Sequence, residues 1–146
     1  MADRKGATLS ICTRCRAEGK MVPDDMRPGY RLAQAIYAKF GDSEAARSGM
    51  ALRGVRCMSQ CKRPCAIALS APDKFTLLFG DLDPDEHADA VLELAAQFAD
   101  QPDGLVARAD RPEPLRAGIL GRIPPLSLHG DPIDPDFSIP SNFEPS

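Results

Sequence analysis

The sequence predicts an α/β fold: a four-stranded mixed sheet with flanking helices, followed by a proline-rich C-terminal extension. Three observations support this prediction. The first half reads strand, helix, strand; the second half reads as a hairpin followed by a capped helix; and nine of the 14 prolines fall from Pro102 onward. We therefore predict a domain over residues 1–100 and an extension over residues 101–146.

The first half predicts two parallel strands joined by a helix. Residues 7–11 alternate with a period of two, which predicts a strand ending at Cys12. From Tyr30 apolar residues recur every three or four positions, which predicts a helix that ends at Gly41 (Leu32, Ala33, Ile36, Tyr37 and Phe40). A further helical turn over 42–47 and a second strand over 50–56 follow. Such crossovers are right-handed and place the loops after both strands at one sheet edge.

The second half predicts a hairpin of residues 66–70 and 75–79, joined by a turn. Asp83, Pro84 and Glu86 match an N-cap, a first helical position and a capping-box acid, so they predict a helix. Its apolar side is Ala88, Val91, Leu92, Ala95 and Phe98. Leucines are scattered over residues 106–122, and we expect residues 124–146 to be extended, either disordered or wrapped around the domain.

The five cysteines form two clusters. Cys12 and Cys15 follow the first predicted strand, and Cys57, Cys61 and Cys65 follow the second. Because the predicted topology brings both loops to one sheet edge, we expect a shared site. Four thiolates from two loops suit either tetrahedral zinc or an iron–sulfur cluster, and the spacing alone does not separate these cofactors.

The charge is divided unevenly along the chain. Up to Cys65 there are 13 Lys and Arg against 6 Asp and Glu, and from Ala66 onward there are 5 against 15. Ordinary solvated surface is one interpretation. The other is a basic face on which a redox partner protein docks, formed by Arg14, Arg16, Arg56, Lys62 and Arg63. The acidic overall composition and only eight aromatic residues argue against a nucleic-acid partner. A homodimer stays open.

No apolar run approaches the ~20 residues that a membrane-spanning helix needs, so we expect no membrane association. The charged N-terminus has no apolar segment behind it, so we expect no signal peptide and a cytoplasmic location. In that reducing compartment grouped cysteines are more often metal ligands or redox groups than disulfides.

From about Ile11 to Pro125 the chain resembles an uncharacterised bacterial family of predicted metal-binding proteins. The resemblance lies in four motifs: Cys12-Thr-Arg-Cys15, Arg27-Pro-Gly with Leu32, the run from Gly54 to Cys65, and Leu82-Asp-Pro. More distantly, residues 7–99 are similar to the thioredoxin-like [2Fe-2S] ferredoxins, which include a small subunit of NADH:quinone oxidoreductase. The second resemblance implies a thioredoxin-like fold and a one-electron carrier rather than an enzyme. It also implies a [2Fe-2S] cluster held by Cys12, Cys15, Cys57 and Cys61.

The chain departs from the ferredoxin pattern in two ways. Only two residues separate Cys12 from Cys15, and Cys65 is additional. Cys65 is either a buried spare thiol or an alternative ligand, and in the second case a [4Fe-4S] cluster enters consideration. The family resemblance also implies an association with corrinoid synthesis, where the carrier would supply an electron for cobalt reduction.

Two other functions use the same cysteines. One is a zinc-stabilised binding module. The other is a thiol–disulfide oxidoreductase built on Cys12-Thr-Arg-Cys15. Against the second, the predicted helix starts near Tyr30, too far along the chain for its N-terminus to lower the pKa of either thiol.

Overall fold

The structure is a computed structural model that describes residues 6–15 and 22–140, and the statements below concern those residues. Five strands form one mixed sheet in the order β2-β1-β3-β4-β5. β1 and β2 are parallel, and every other neighbouring pair is antiparallel. The strands are β1 Thr8–Cys12, β2 Ala51–Val55, β3 Ile67–Ser70, β4 Thr76–Phe79 and β5 Ile119–Ile123.

The helices are α1 Pro28–Phe40, α2 Glu44–Arg47 and α3 Ala88–Asp100. Short 3-10 turns occupy Asp24–Met26, Arg108–Asp110, Glu113–Leu115 and Pro135–Phe137. None of the helices in the described part of the chain is long and apolar enough to cross a membrane.

The β1-α1-β2 crossover confirms the predicted order of the first half. Cys12 at the end of β1 lies opposite Val55 at the end of β2, so the loops after both strands leave the same sheet edge. α1 begins at Pro28, two residues before the predicted start, because proline suits the first helical position. Leu32 and Ile36 are fully buried as predicted, whereas Tyr37, predicted on the same apolar stripe, is 77% exposed.

The hairpin and the helix of the second half are also present. Ile67 lies opposite Phe79 in the β3–β4 pair, and the predicted apolar side of α3 is buried. α3 begins later than the capping motif predicts. The Asp83 carbonyl accepts hydrogen bonds from the N–H groups of Glu86 and His87, which makes a separate turn, and His87 occupies the N-cap position.

The prediction of four strands is wrong, because β5 adds a fifth at the sheet edge. It pairs with β4, with Leu78 opposite Gly121 and a register shift between Leu78 and Phe79. β5 lies beyond residue 100, where the sequence pattern predicts an extension. The predicted domain boundary at residue 100 therefore stays a prediction. The strand β5, which follows that boundary, joins the sheet of the domain. The leucine-bearing stretch before β5 also packs on the domain, since Leu115 is fully buried.

Residues 124–140 continue past the sheet with a few anchoring contacts. Leu128 packs against the core, and the Ser127 hydroxyl donates a hydrogen bond of 3.0 Å to the Asp73 carboxylate. Phe137 and Ile139 are almost fully exposed. Residues 141–146, the end of the predicted extended tail, lie outside the described residues.

Candidate metal centre

Three of the five thiols are buried together where β1 ends. Cys12 is 3% exposed, and Cys15 and Cys65 are each 1% exposed. The Cys12 N–H donates to the carbonyl of Ala66 at 3.0 Å, which ties the end of β1 to the residue after Cys65. The Cys15 thiol shares a hydrogen bond with the Cys12 sulfur. All five cysteines are free thiols.

This arrangement shifts the pKa values of the three thiols in different directions. The hydrogen bond from Cys15, followed by N–H groups of Arg14, Met58 and Cys15, lowers the pKa of Cys12 to about 5 against the effect of burial. The same hydrogen bond and burial raise the pKa of Cys15. Burial, with the Cys12 charge second, raises the pKa of Cys65 to about 12. The arrangement therefore favours the thiolate form of Cys12 and the protonated forms of Cys15 and Cys65.

Cys57 and Cys61 lie outside this buried group. Both are exposed, and the Cys57 sulfur accepts a hydrogen bond of 3.4 Å from the N–H of Ser59. Their loop nevertheless begins at the buried thiols: Met58 packs against Cys12 and Cys15, and its N–H donates to the Cys12 sulfur. The two cysteine loops thus leave the same sheet edge, as predicted, and their convergence on one shared site stays a prediction.

Within residues 6–15 and 22–140 no three Cys, His, Asp or Glu side chains are arranged to hold a metal ion. The structure brings together Cys12, Cys15 and Cys65, and leaves Cys57 and Cys61 on the adjoining exposed loop. The ligand set Cys12, Cys15, Cys57 and Cys61 therefore stays a prediction.

The start of α1 packs directly on the loop from Cys12 to Cys15. The Gly29 N–H donates to the Cys15 carbonyl at 3.2 Å, and a Cβ on Gly29 would lie 2.3 Å from the Cys12 carbonyl oxygen. The sequence argument that this helix is too far from the thiols is wrong, because α1 folds back onto them. Pro28, which marks the first position of α1, is the sequence signal that could have indicated this earlier start.

Replacing Gly29 with alanine is expected to lower the free energy of unfolding by about 1–3 kcal/mol, since the added methyl group must displace backbone. Urea denaturation measures the change. Gly41→Ala is the matched control, because a Cβ there meets nothing within 4 Å and the backbone is helical at φ −57°. Equal stability of Gly29→Ala and the natural protein would contradict the close packing of α1 on the loop from Cys12 to Cys15.

The pKa values predict how the metal-free, reduced protein responds to pH. Between the folded pKa of Cys12, about 5, and its ordinary value of 9.0, the unfolded chain binds a proton that the folded chain has released. Raising the pH within that window therefore stabilises the fold, and this contribution is lost as the pH falls through about 5. Cys65 acts oppositely: its contribution is complete below 9.0 and is lost as the pH rises towards about 12.

We expect the stability difference between the natural apo protein and Cys12→Ala to grow between about pH 6 and about pH 8.5. Urea denaturation at several pH values in that window measures it, and comparison with the Cys12→Ala curve cancels pH effects that the two proteins share. A difference that is independent of pH would contradict a Cys12 thiolate in the folded protein.

Two of the five cations predicted to form a docking face have carboxylate partners. Arg14 pairs with Asp24 at 2.7 Å and Arg63 with Asp81 at 2.5 Å. Arg56 and Lys62 are exposed, and they lie directly beside Cys57 and Cys61 in the chain. Arg16, the fifth predicted member, lies outside the described residues. The basic face thus stays a prediction. Within the described part of the chain, Arg56 and Lys62 are the cations of this face that have no carboxylate partner.

The sheet order and the crossover define an α/β fold with a five-stranded mixed sheet. A structure of a thioredoxin-like [2Fe-2S] ferredoxin from Aquifex aeolicus matches with a TM-score of 0.54 and 14% identity, over 85% of this chain and 98% of that chain. The wild type thioredoxin-like [2Fe-2S] ferredoxin from the same organism matches with a TM-score of 0.47 and 16% identity, over 63% of this chain and 86% of that chain.

The chain belongs to the DUF1636 family, described as proteins of unknown function, whose model matches residues 9–125. No curated protein matches the sequence.

Proposed function

We propose that this protein is a one-electron carrier that binds an iron–sulfur cluster where β1 and β2 end. The observation that supports it most is that both loops carrying the free cysteines leave one sheet edge. Three of the thiols are buried together there, and the other two lie on the loop whose Met58 packs against that buried group. The fold likeness to a [2Fe-2S] ferredoxin supports the same proposal.

The donor set fits such a cluster. A [2Fe-2S] cluster takes four thiolates, and the two cysteine loops offer five free thiols. Cys12, Cys15, Cys57 and Cys61 would hold the cluster, and when bound it would accept and release a single electron. Cys65 is the alternative ligand, with which a [4Fe-4S] cluster would be considered. The loop from Cys57 to Cys61 must approach Cys12 for the first set to form.

The chain's own groups around Cys12 favour negative charge on its sulfur. N–H groups of Arg14, Met58 and Cys15 donate hydrogen bonds to it. Hydrogen bonds to ligand sulfurs and nearby cations make a cluster easier to reduce, so these groups would raise the reduction potential. Arg56 and Lys62 would serve the same purpose and would meet a redox partner.

The biological role of this carrier is a further part of the proposal. The family resemblance favours delivery of one electron for cobalt reduction in corrinoid synthesis. A protein partner, rather than a membrane or a nucleic acid, would receive the electron, and a homodimer would be compatible with this function.

Anaerobic purification followed by iron, sulfide and zinc analysis and by an EPR spectrum of the reduced protein tests the proposal. We expect iron and sulfide in equal amounts, visible charge-transfer absorption and an EPR signal from a reduced cluster. Colourless protein containing stoichiometric zinc would overturn it in favour of a zinc-stabilised binding module.

The packing of α1 against Cys12 and Cys15 favours a second candidate, a thiol–disulfide oxidoreductase. A helix N-terminus beside a Cys-x-x-Cys pair and a pKa of about 5 on Cys12 are the usual features of such enzymes. The 3% exposure of Cys12 argues against it, because the attacking thiolate must reach a substrate disulfide. Insulin reduction by the apo protein that is lost in Cys12→Ala would support the enzyme.

A further inference from the structure

A cavity lined by arginines lies against β4 and β5. Its volume is about 350 Å³, and Arg108, Arg111 and Arg122 line it together with apolar side chains that include Leu77 and Ile119. A neighbouring cavity of about 300 Å³ shares Arg111 and Arg122. No acidic side chain is among the described residues that line either cavity.

Arg111 is the central member of this group. Its side chain is 7% exposed, and its guanidinium carbon lies 5.8 Å from the centre of the Phe79 ring. The Nε–H of Arg111 is buried and has no hydrogen-bond acceptor among the described residues. Burying an arginine without a counter-charge is unfavourable, and the contact with one aromatic ring offsets only part of that cost. A bound anion would supply the missing acceptor.

The charges around Arg111 add to this cost instead of relieving it. Burial and the positive charge of Arg108 both lower the pKa of Arg111. None of Arg108, Arg111 and Arg122 pairs with a carboxylate in the described part of the chain.

The sequence concentrates these cations within an otherwise acidic half. From Ala66 onward there are 15 Asp and Glu and only 5 Lys and Arg, and four of those five are arginines within residues 108–122. Three of these four line the cavity. Such a local reversal of charge favours a site for an anion over a solvated surface.

We propose that this arginine cavity binds the oxyanion group, phosphoryl or carboxylate, of a small molecule. Planar guanidinium groups hold both kinds of oxyanion through paired N–H donors. The volume lies at the lower end of the range for small-molecule sites, so it fits one such group with a short apolar part against Leu77 and Ile119. The site is independent of the cluster, since no cysteine lines the cavity.

Titration of the full-length protein as purified tests the proposal, with inorganic phosphate and succinate as the two probes. Isothermal calorimetry and thermal unfolding are run at constant ionic strength, with sodium chloride as the reference salt. We expect saturable binding of at least one probe. Tighter binding of phosphate would identify a phosphoryl ligand, and tighter binding of succinate would identify a carboxylate ligand. Arg122→Gln and Arg108→Gln, both exposed positions, should each weaken that binding about tenfold or more.

Arg47→Gln is the control, because it removes the same charge from α2, outside the cavity, and should bind the probe like the natural protein. Visible absorption should be unchanged in all three variants. Unfolding temperatures that are the same in phosphate, succinate and sodium chloride at equal ionic strength would overturn the proposal. Arg108→Gln and Arg122→Gln variants that bind the probe like the natural protein would also overturn it.

Discussion

Replacing either Cys57 or Cys61 with alanine is expected to abolish iron–sulfur binding without changing the stability of the apo protein. The two effects separate because both thiols are exposed, and surface substitutions usually change the free energy of unfolding by less than about 0.5 kcal/mol. A cluster that loses one of its four thiolates should not assemble stably, so we expect at least a tenfold loss of bound iron. Iron and sulfide analysis, visible absorption and urea denaturation of the apo protein measure the two effects.

Lys62→Ala is the matched control for these variants. Lys62 is exposed on the same loop, between Cys61 and Cys65, and its ammonium group is not a ligand for iron. We expect Lys62→Ala to keep its full iron content and to show at most a shift in reduction potential. Iron retained in both Cys57→Ala and Cys61→Ala would remove the exposed loop from the proposed ligand set.

The loss of iron would also indicate that the loop from Cys57 to Cys61 approaches Cys12 when the cluster binds. Met58, the residue after Cys57, packs against the buried cluster that Cys12 and Cys15 form, and its N–H donates to the Cys12 sulfur. Cys61 lies further along the loop, which is anchored again where the Asp81 N–H donates to the Arg63 carbonyl at 3.2 Å. Cluster assembly would therefore change the conformation of residues 57–62 between two anchored ends.

The part of the fold that positions the site could be predicted from the sequence because it depends on local patterns. Leu32 and Ile36 mark the buried side of α1, and the crossover rule then brings the ends of β1 and β2 together. The edge strand β5 could not be predicted in this way. Only its pairing with β4, about forty residues earlier in the chain, makes it a strand, and Gly121 and the exposed Arg122 interrupt any alternation.

Which cysteines belong to the buried thiol group could be predicted only in part, for a related reason. Topology determines which loops meet, but the conformation within residues 57–65 determines which sulfur is buried. That conformation depends on distant contacts: Gly80 packs so closely on the Arg63 carbonyl that a Cβ would lie 2.5 Å from it, and the Leu82 N–H donates to the Cys65 carbonyl. The spacing of the cysteines carries no information about these contacts. The sequence offered burial of Cys65 as one of two alternatives, and its position beside Cys12 required the structure.

Cys65→Ala is expected to keep its iron–sulfur cluster and to lose stability instead, the reverse of Cys57→Ala and Cys61→Ala. Cys65 belongs to the main hydrophobic core, and burial raises the pKa of its thiol to about 12, so it resembles a packed core residue more than a ligand. Removing its buried sulfur should lower the free energy of unfolding by about 1–2 kcal/mol. Urea denaturation and iron analysis of Cys65→Ala and Cys61→Ala, prepared side by side, measure the contrast.

The opposite pattern would identify Cys65 as the ligand in place of Cys61. In that case Cys65→Ala would lose its iron while Cys61→Ala kept it, and the buried group of Cys12, Cys15 and Cys65 would be the base of the metal site. An EPR spectrum of the reduced Cys61→Ala protein would then determine whether the cluster is [2Fe-2S] or [4Fe-4S]. Because Cys65 is buried and Cys61 is exposed, apo-protein stability distinguishes a lost ligand from a damaged core in either outcome.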